Sequence, residues 1–219
     1  MDNNQISYYN LEQDEVTLKD LDIKNRPIYQ IVKRILDIVL SFIGLIISAP
    51  IILLTSFFVI AESKGPPILV QGRLGKEGKP FKIYKIRSMY VDAEINTGPK
   101  WAEKNDARVT RVGRVIRKTH IDELPQLVNI FLGEMSFVGP RPERKFFYEK
   151  YESELFEFSK RLYVKPGLTG LAQINGGYDI DAEEKLKYDL SYIKNQSLRL
   201  DILIIFKTIY VVLKGYGAR

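Results

Sequence analysis

At 219 residues, with one histidine and no cysteine, the chain is long enough for one domain with a sizeable core and excludes disulfides, thiol chemistry and cysteine-based zinc sites. A histidine metal cluster or a Ser-His-Asp triad would need partners from elsewhere, so ionised chemistry falls to carboxylates, lysines or tyrosines. The formal charge of +6 suits an anionic partner, whether nucleic acid, a phosphorylated substrate or an anionic lipid leaflet.

Residues 1–27 carry Asp2, Glu12, Asp14, Glu15, Asp20 and Asp22 and so read as a polar leader, mobile or loosely docked, and not as a secretory signal. A helix begins near Ile28 and runs into the uncharged apolar stretch Ile38 to Ala61, which meets the length a bilayer-spanning helix needs. Pro50 sits almost at its centre, where it removes a backbone hydrogen bond and clashes with the preceding turn. Lys24, Arg26, Lys33 and Arg34 precede the stretch, and Lys64, Arg73, Lys76 and Lys79 follow it. Basic flanks stay cytoplasmic, so residues 28–63 are expected to form a re-entrant hairpin broken at Ser48, Ala49 and Pro50, with Ser48 and Thr55 hydroxyls taking the freed carbonyls. A single kinked span and a buried core helix are the alternatives. Lys33, Arg34 and Asp37 share one helical face, as an anchor at the membrane surface; a solvated Arg34–Asp37 pair is the plainer reading. Lys64-Gly65-Pro66-Pro67 stops the helix and opens a catalytic domain over 64–219.

From Ile68 to Met89 the pattern is strand, turn at Gly75 to Pro80, strand. Gly72, Gly75 and Gly78 lack the helix start and Lys-Ser/Thr pair of a P-loop. Lys82, Lys85 and Arg87 form either a solvated face or one wall of a phosphate-bearing cleft. Residues 90–108 read as a helix interrupted by a flexible loop, with Trp101 either at a membrane interface or packed. Next, Arg108, Arg111, Arg114 and Arg117 recur every three residues along a helix and attract phosphate, meeting Asp122 and Glu123 just before the boundary at Leu124-Pro125. The acidic pair forms a salt-bridge network or holds a divalent ion against a polyphosphate. Arg141, between Pro140 and Pro142, presents a guanidinium with little entropy to lose, ready for bidentate phosphate binding. Phe146 to Phe158 suggests a solvated helix, Lys165 to Leu171 a rigid turn, and Lys187-Tyr188-Asp189 a helix. Leu198 to Leu213 reads as an amphipathic helix on a membrane or as a buried C-terminal core helix.

In order, Lys33-Arg34-x-x-Asp37 before a proline-broken apolar helix, Phe81 to Met89, Asp122-Glu123-Leu124-Pro125-Gln126, Val138-Gly139-Pro140-Arg141-Pro142 and Lys165-Pro166-Gly167-Leu168-Thr169-Gly170 resemble the bacterial sugar transferases, more narrowly the small monotopic phosphoglycosyl transferases. The resemblance covers Pro27 to Gly215. It implies an α+β, helix-rich protein at the cytoplasmic face of a bacterial inner membrane, with a re-entrant helix hairpin, a short β-hairpin and interfacial amphipathic helices. It also implies a reaction: a UDP-sugar gives its sugar 1-phosphate to polyprenyl (undecaprenyl) phosphate, releasing UMP, as the first membrane step of exopolysaccharide, capsule or glycan assembly. By the same resemblance Asp122 is the nucleophile of a covalent aspartyl phospho-sugar, and Glu123 assists the acceptor phosphate or the metal. Mg2+ bridges the diphosphate and the acidic pair, Lys85, Arg117 and Arg141 bind substrate phosphates, and Asp189 matches an acidic position of open role. The implied partners are UDP-sugar, polyprenyl phosphate and membrane lipids, not nucleic acid; a homodimer and downstream glycosyltransferases stay open, and no motif fixes the sugar.

The chain departs from the family where Ala49 precedes Pro50 in place of serine, where Gly177 stands for a common arginine, and where His120 stands for a small polar residue; His120 is read as a passive neighbour of the acidic pair. A different class of reading is a membrane-tethered anion- or nucleic-acid-binding protein, or a scaffold without catalysis. It would be indifferent to Asp122→Asn.

Overall fold

The computed structural model describes residues 25–95, 98–100, 103, 106–155, 157–176 and 180–214. The expectations for nearly all of the leader, for Trp101 and for Gly177 lie outside the described residues.

Helix α1, Pro27–Glu62, starts with a proline at a position where the missing N–H would have no partner in any case. It runs through Ser48, Ala49 and Pro50 without interruption, so the expected break is not seen as a non-helical segment. Nor do the expected hydroxyls take up the freed carbonyl. Pro50 has no N–H to give the Ile46 carbonyl, and Ser48 Oγ donates at 3.5 Å to the carbonyl of Leu45 instead.

The stripe α1 turns to the rest of the protein is largely polar: Asp37, Ser41, Ser48, Thr55 and Val59 are buried, with Leu45 and Ile52 packed beside them. Steps of three, four or seven residues keep these positions on one face. The opposite face is apolar and exposed, with Ile46, Leu53 and Phe57 each more than 60% accessible. A water-soluble helix hides its apolar side; this one hides its hydroxyls. The buried stripe extends from Asp37 to Val59, a rise of roughly 33 Å, so α1 lies along the domain instead of projecting from it.

Asp37 explains the first anchor. Its Oδ1 accepts from Ser136 Oγ at 3.1 Å and from the Phe137 N–H at 3.0 Å, so the solvated Arg34–Asp37 pair gives way to a tertiary contact. Arg34 instead donates to the carbonyls of Ile130 and Phe131 at 2.7 and 2.8 Å, groups that a helix C-terminus leaves orphaned. Lys33 reaches Asp201 at 2.7 Å.

Strands β1 (Ile68–Leu74) and β2 (Pro80–Ile86) form the expected hairpin, antiparallel with Ile68 opposite Ile86 and Leu74 opposite Pro80. Phe81 and Ile83 turn inward against Leu127, Ile130 and Met135. Residues 91–95 form turns and no helix occurs among the described residues of 90–108, which corrects the helical expectation there. Helices α2 (Arg111–Lys118) and α3 (Gln126–Leu132) flank a 3₁₀ turn, Ile121–Glu123. Buried Asn129 fastens α3 to β2 by supplying what another strand would: its Oδ1 accepts from Tyr84 N–H at 3.2 Å and its Nδ2 donates to Lys82 O at 2.7 Å.

Strand β3 (Ser136–Val138) pairs in parallel with β4 (Gly167–Thr169). A Cβ at Gly139 would stand 2.4 Å from the Lys165 carbonyl, so the two family-like motifs meet at a backbone approach only glycine permits. Helices α4 (Lys145–Glu154), α5 (Leu171–Asn175), α6 (Ala182–Lys194) and α7 (Leu198–Lys214) complete the chain. Their main core gathers Val138, Phe158, Leu190 and Ile204. α4 is less solvated than expected, because Phe147 and Tyr148 are buried. On α7 Asp201 and Ile204 are buried while Ile202, Phe206, Ile209 and Leu213 are exposed, an amphipathic helix and not a core one. The architecture is helix-rich α+β with one long apolar helix near the N-terminus.

Candidate active site

Helix α2 is held at its start from two directions. Thr110 Oγ1 accepts the Gly113 N–H at 2.8 Å, and the Glu62 carboxylate at the end of α1 accepts the N–H groups of Arg111 and Val112 at 2.7 and 2.8 Å, the orphan donors of a helix N-terminus. A Cβ on Gly113 would lie 1.9 Å from the Ser88 carbonyl, so glycine lets α2 abut the end of the hairpin. The arginine stripe does not survive intact. Arg108 precedes α2 and clamps Asp106 at 2.6 Å, while Arg111 and Arg114 are exposed. Arg117 is the one of the four close enough to pull the Asp122 pKa down, and its Nη1 is buried without a hydrogen-bond partner among the described residues.

After α2 the chain reverses at His120, whose φ of 55° is left-handed, a conformation few residues other than glycine adopt, histidine being among the more tolerant. The reversal delivers Asp122 and Glu123 into the interior side by side, yet in opposite circumstances. Glu123 Oε1 accepts from Lys85 Nζ at 2.7 Å and from Arg141 Nη2, and its Oε2 faces Arg141 Nη1 at 3.3 Å. Burial would raise its pKa, but Arg141 and Lys85 outweigh burial and hold the carboxyl well below the usual range. Asp122, only 7% exposed, has no hydrogen bond or ion pair among the described residues. Burial pushes its pKa up to about 6, against the pull of Lys85 and Arg117 and with the Glu123 charge adding to the rise. Burial also depresses the His120 pKa.

The structure therefore brings together Asp122, Glu123, Lys85, Arg117 and Arg141. The expected site residues Ser48, Ala49 and Pro50 lie in α1. Arg87, once a candidate for the same cleft, instead donates to the carbonyls of Ser63 and Lys64 at 2.7 and 2.8 Å and so closes the end of α1.

Among the described residues no cluster of three or more His, Cys, Asp or Glu could make an all-protein metal site. Mg2+ needs none: it binds through one or two carboxylates plus substrate phosphates and water. Asp122 offers unclaimed oxygens for that role, whereas those of Glu123 already serve two cations. The residues fit a metal that arrives with a diphosphate, through Asp122.

A family model described as bacterial sugar transferase matches residues 28–215. The chain belongs to the bacterial sugar transferase family. Among curated relatives, it is 45% identical over 196 residues, 88% of this chain and 46% of the relative, to an Aeromonas hydrophila protein named UDP-N-acetylgalactosamine-undecaprenyl-phosphate N-acetylgalactosaminephosphotransferase. It is 52% identical over 134 residues, 61% of this chain and 74% of the relative, to a Bacillus subtilis protein named as an undecaprenyl-phosphate N-acetylgalactosaminyl 1-phosphate transferase by inference. It is 45% identical over 194 residues, 86% of this chain and 41% of the relative, to a Klebsiella pneumoniae UDP-glucose:undecaprenyl-phosphate glucose-1-phosphate transferase. The chain thus spans less than half the length of the first and third of these proteins. Equal identity to relatives named for different sugars shows that overall similarity does not select the donor.

Several residues of this family member that shape the site carried no sequence signal. Glu62 and Asn129 sit in stretches whose pattern announces only helix, with partners 45 to 50 residues away, as in Glu62 to Val112 and Asn129 to Tyr84, and Arg161 falls between the motifs. Glu143 directly follows the Pro140-Arg141-Pro142 segment, the one signal that could have pointed to it; it is buried between Lys185 and Arg73.

Proposed function

We propose that this chain transfers a sugar 1-phosphate from a UDP-sugar to polyprenyl (undecaprenyl) phosphate, releasing UMP. The observation that carries the reading is a buried carboxylate, Asp122, without a bonded partner among the described residues yet beside three cations, while its neighbour Glu123 takes two of them. An unpaired buried charge is costly, and it pays its way where it is a nucleophile. With a pKa of about 6 Asp122 is mostly ionised at neutral pH.

In the first step an Asp122 oxygen attacks the phosphorus that bears the sugar. The P–O bond to the second phosphate breaks, and UMP leaves with the electron pair. In the second step an oxygen of polyprenyl phosphate attacks that same phosphorus and the Asp122 carboxylate departs. Lys85, Arg117 and Arg141 offset the repulsion between anions in both displacements. Glu123 holds Lys85 and Arg141 in place before the donor arrives, a placeholder for phosphate more than a metal ligand. Mg2+, bound through Asp122 and the diphosphate, would supply further charge neutralisation.

The same reading puts the protein at the cytoplasmic face of the bacterial inner membrane, with residues 28–63 as a monotopic element and 64–219 as the catalytic domain. The polar stripe of α1 against the domain and its apolar outer face support an element that dips into one leaflet alongside α7. Because the chain has no cysteine, single cysteines at Gln30 and Ser63 can be labelled in inverted and right-side-out vesicles. Labelling of both from the cytoplasmic side is expected; opposite sides would mean a crossing helix.

The reaction is tested by UMP release in nanodiscs with undecaprenyl phosphate, Mg2+ and a panel of UDP-sugars, with rapid quenching to trap labelled sugar phosphate on the protein. Lipid-dependent UMP from at least one donor and a trapped adduct are expected. Folded protein silent with every UDP-sugar would overturn the reaction, and turnover without an adduct would overturn the covalent route.

A further inference from the structure

Arg141 stands between prolines; the Gly167 N–H of β4 bonds the Pro140 carbonyl at 2.9 Å and the Leu74 N–H of β1 the Glu143 carbonyl at 3.2 Å, while the carbonyls of Arg141 and Pro142 between them are held by charged side chains. Arg161 donates from Nη2 to the Arg141 carbonyl at 3.0 Å and from Nε to Asp189 Oδ2 at 2.6 Å. Arg73 donates from Nη1 to the neighbouring Pro142 carbonyl at 3.1 Å. Arg161 and Asp189 are 4% and 1% exposed, and the Arg161 guanidinium lies over the Phe158 ring, 4.6 Å from its centroid. A planar fork engaged on a carboxylate, a carbonyl and a ring has one orientation available.

We propose that Asp189, acting through Arg161, is a positioning residue that aims Arg141 at the donor phosphate. This rests on the transferase reading. The flanking prolines fix much of the Arg141 backbone, so the carbonyl bond from Arg161 sets the rotation that remains, and with it the direction in which the Arg141 side chain leaves toward Glu123. Buried ion pairs add little net stability compared with apolar packing, but they impose geometry. Without the Asp189 charge, the Arg161 guanidinium is drawn toward the Glu143 carboxylate, which already feels its field, and the Arg141 carbonyl is released.

The test uses the full chain in nanodiscs and compares Asp189→Asn in two backgrounds, the parent and Arg141→Lys. A misaim of about 1 Å costs roughly tenfold to a hundredfold in kcat/KM, so that loss is expected in the parent and less than a twofold loss where Arg141 is already replaced. Equal losses in both backgrounds would overturn the proposal in favour of a merely structural pair. If Asp189→Asn does not fold, Arg161→Lys replaces it: the charge beside Asp189 stays while the fork is lost, and the same pattern is expected. A second readout needs no turnover. The 15N spectrum of the Arg141 guanidinium should show hindered rotation in the parent and averaging in the variant, and an unchanged signal would overturn the proposal. Should no UDP-sugar be turned over while the Arg141 signal responds, the transferase reading fails and the positioning role stands.

Discussion

Two acidic clusters lie on either side of the Pro140-Arg141-Pro142 segment, and they are built by opposite rules. Behind it, Glu143 meets Lys185 and Arg73, and Asp189 meets Arg161; each buried carboxylate has cations of its own. In front, Glu123 absorbs Lys85 and Arg141 while Asp122, also buried, has no bonded partner among the described residues. A protein that can neutralise every acid in one cluster has left one exposed to repulsion in the other. On the proposed function the difference separates support from chemistry: paired carboxylates hold shape, and the unpaired one is the proposed nucleophile.

That contrast is sharpest at Asp122 itself. Asp122→Asn is expected to abolish turnover by about a thousandfold or more and yet to raise the thermal midpoint at pH 7. Its pKa is raised in the folded state to about 6, so the parent loses stability as pH climbs from the ordinary carboxylate range through that value. The variant should lack this loss and match the parent near pH 4. A lower midpoint at pH 7 would break the distinction between the clusters. Glu143→Gln should do the reverse: it removes the buried carboxylate that Lys185 and Arg73 share and is expected to cost about 3–5 kcal/mol, read from denaturation in a fixed detergent. Lys185 and Arg161 hold the Glu143 pKa below normal against the effect of burial, so the stability it contributes is present above the ordinary carboxylate range and fades as pH falls through its lowered value.

Smaller effects refine the same division. Lys85→Met removes one cation from the front cluster, and about a hundredfold fall in kcat/KM is expected, with UMP inhibition weakened in parallel. Thr208→Val removes the 2.6 Å hydroxyl contact between α7 and Thr169 and should cost about 1 kcal/mol without changing kcat. His120→Asn, which keeps a residue tolerant of the left-handed turn, should leave turnover within about threefold; a larger loss at unchanged stability would make the imidazole a participant in proton transfer.

Much of this protein is legible along the chain because local rules write it. The β-hairpin follows from alternation around Gly75 to Pro80, the long apolar helix from an uncharged run of sufficient length, and the acidic pair and Arg141 from motifs that announce themselves. The failures have a common cause. Three-residue spacing suggested a stripe of arginines, but the helix begins only at Arg111, so Arg108 falls outside it and two others face solvent. Arg34 and Asp37 looked like each other's partners because they are near in sequence, whereas Asp37 bonds to Ser136 and Phe137, about a hundred residues on.

The sequence by itself determined the family, the helix-rich α+β plan and the candidate site residues, because periodicity, glycine and proline placement and clustered charge are local properties. Only the tertiary structure decided that Glu123 is paired and Asp122 is not, that Arg87 caps a helix, and that Arg161 and Asp189 stand behind Arg141. Burial and pairing are set by which distant segments share the interior, and adjacent carboxylates of nearly equal intrinsic acidity are separated only by the neighbours that folding gives them.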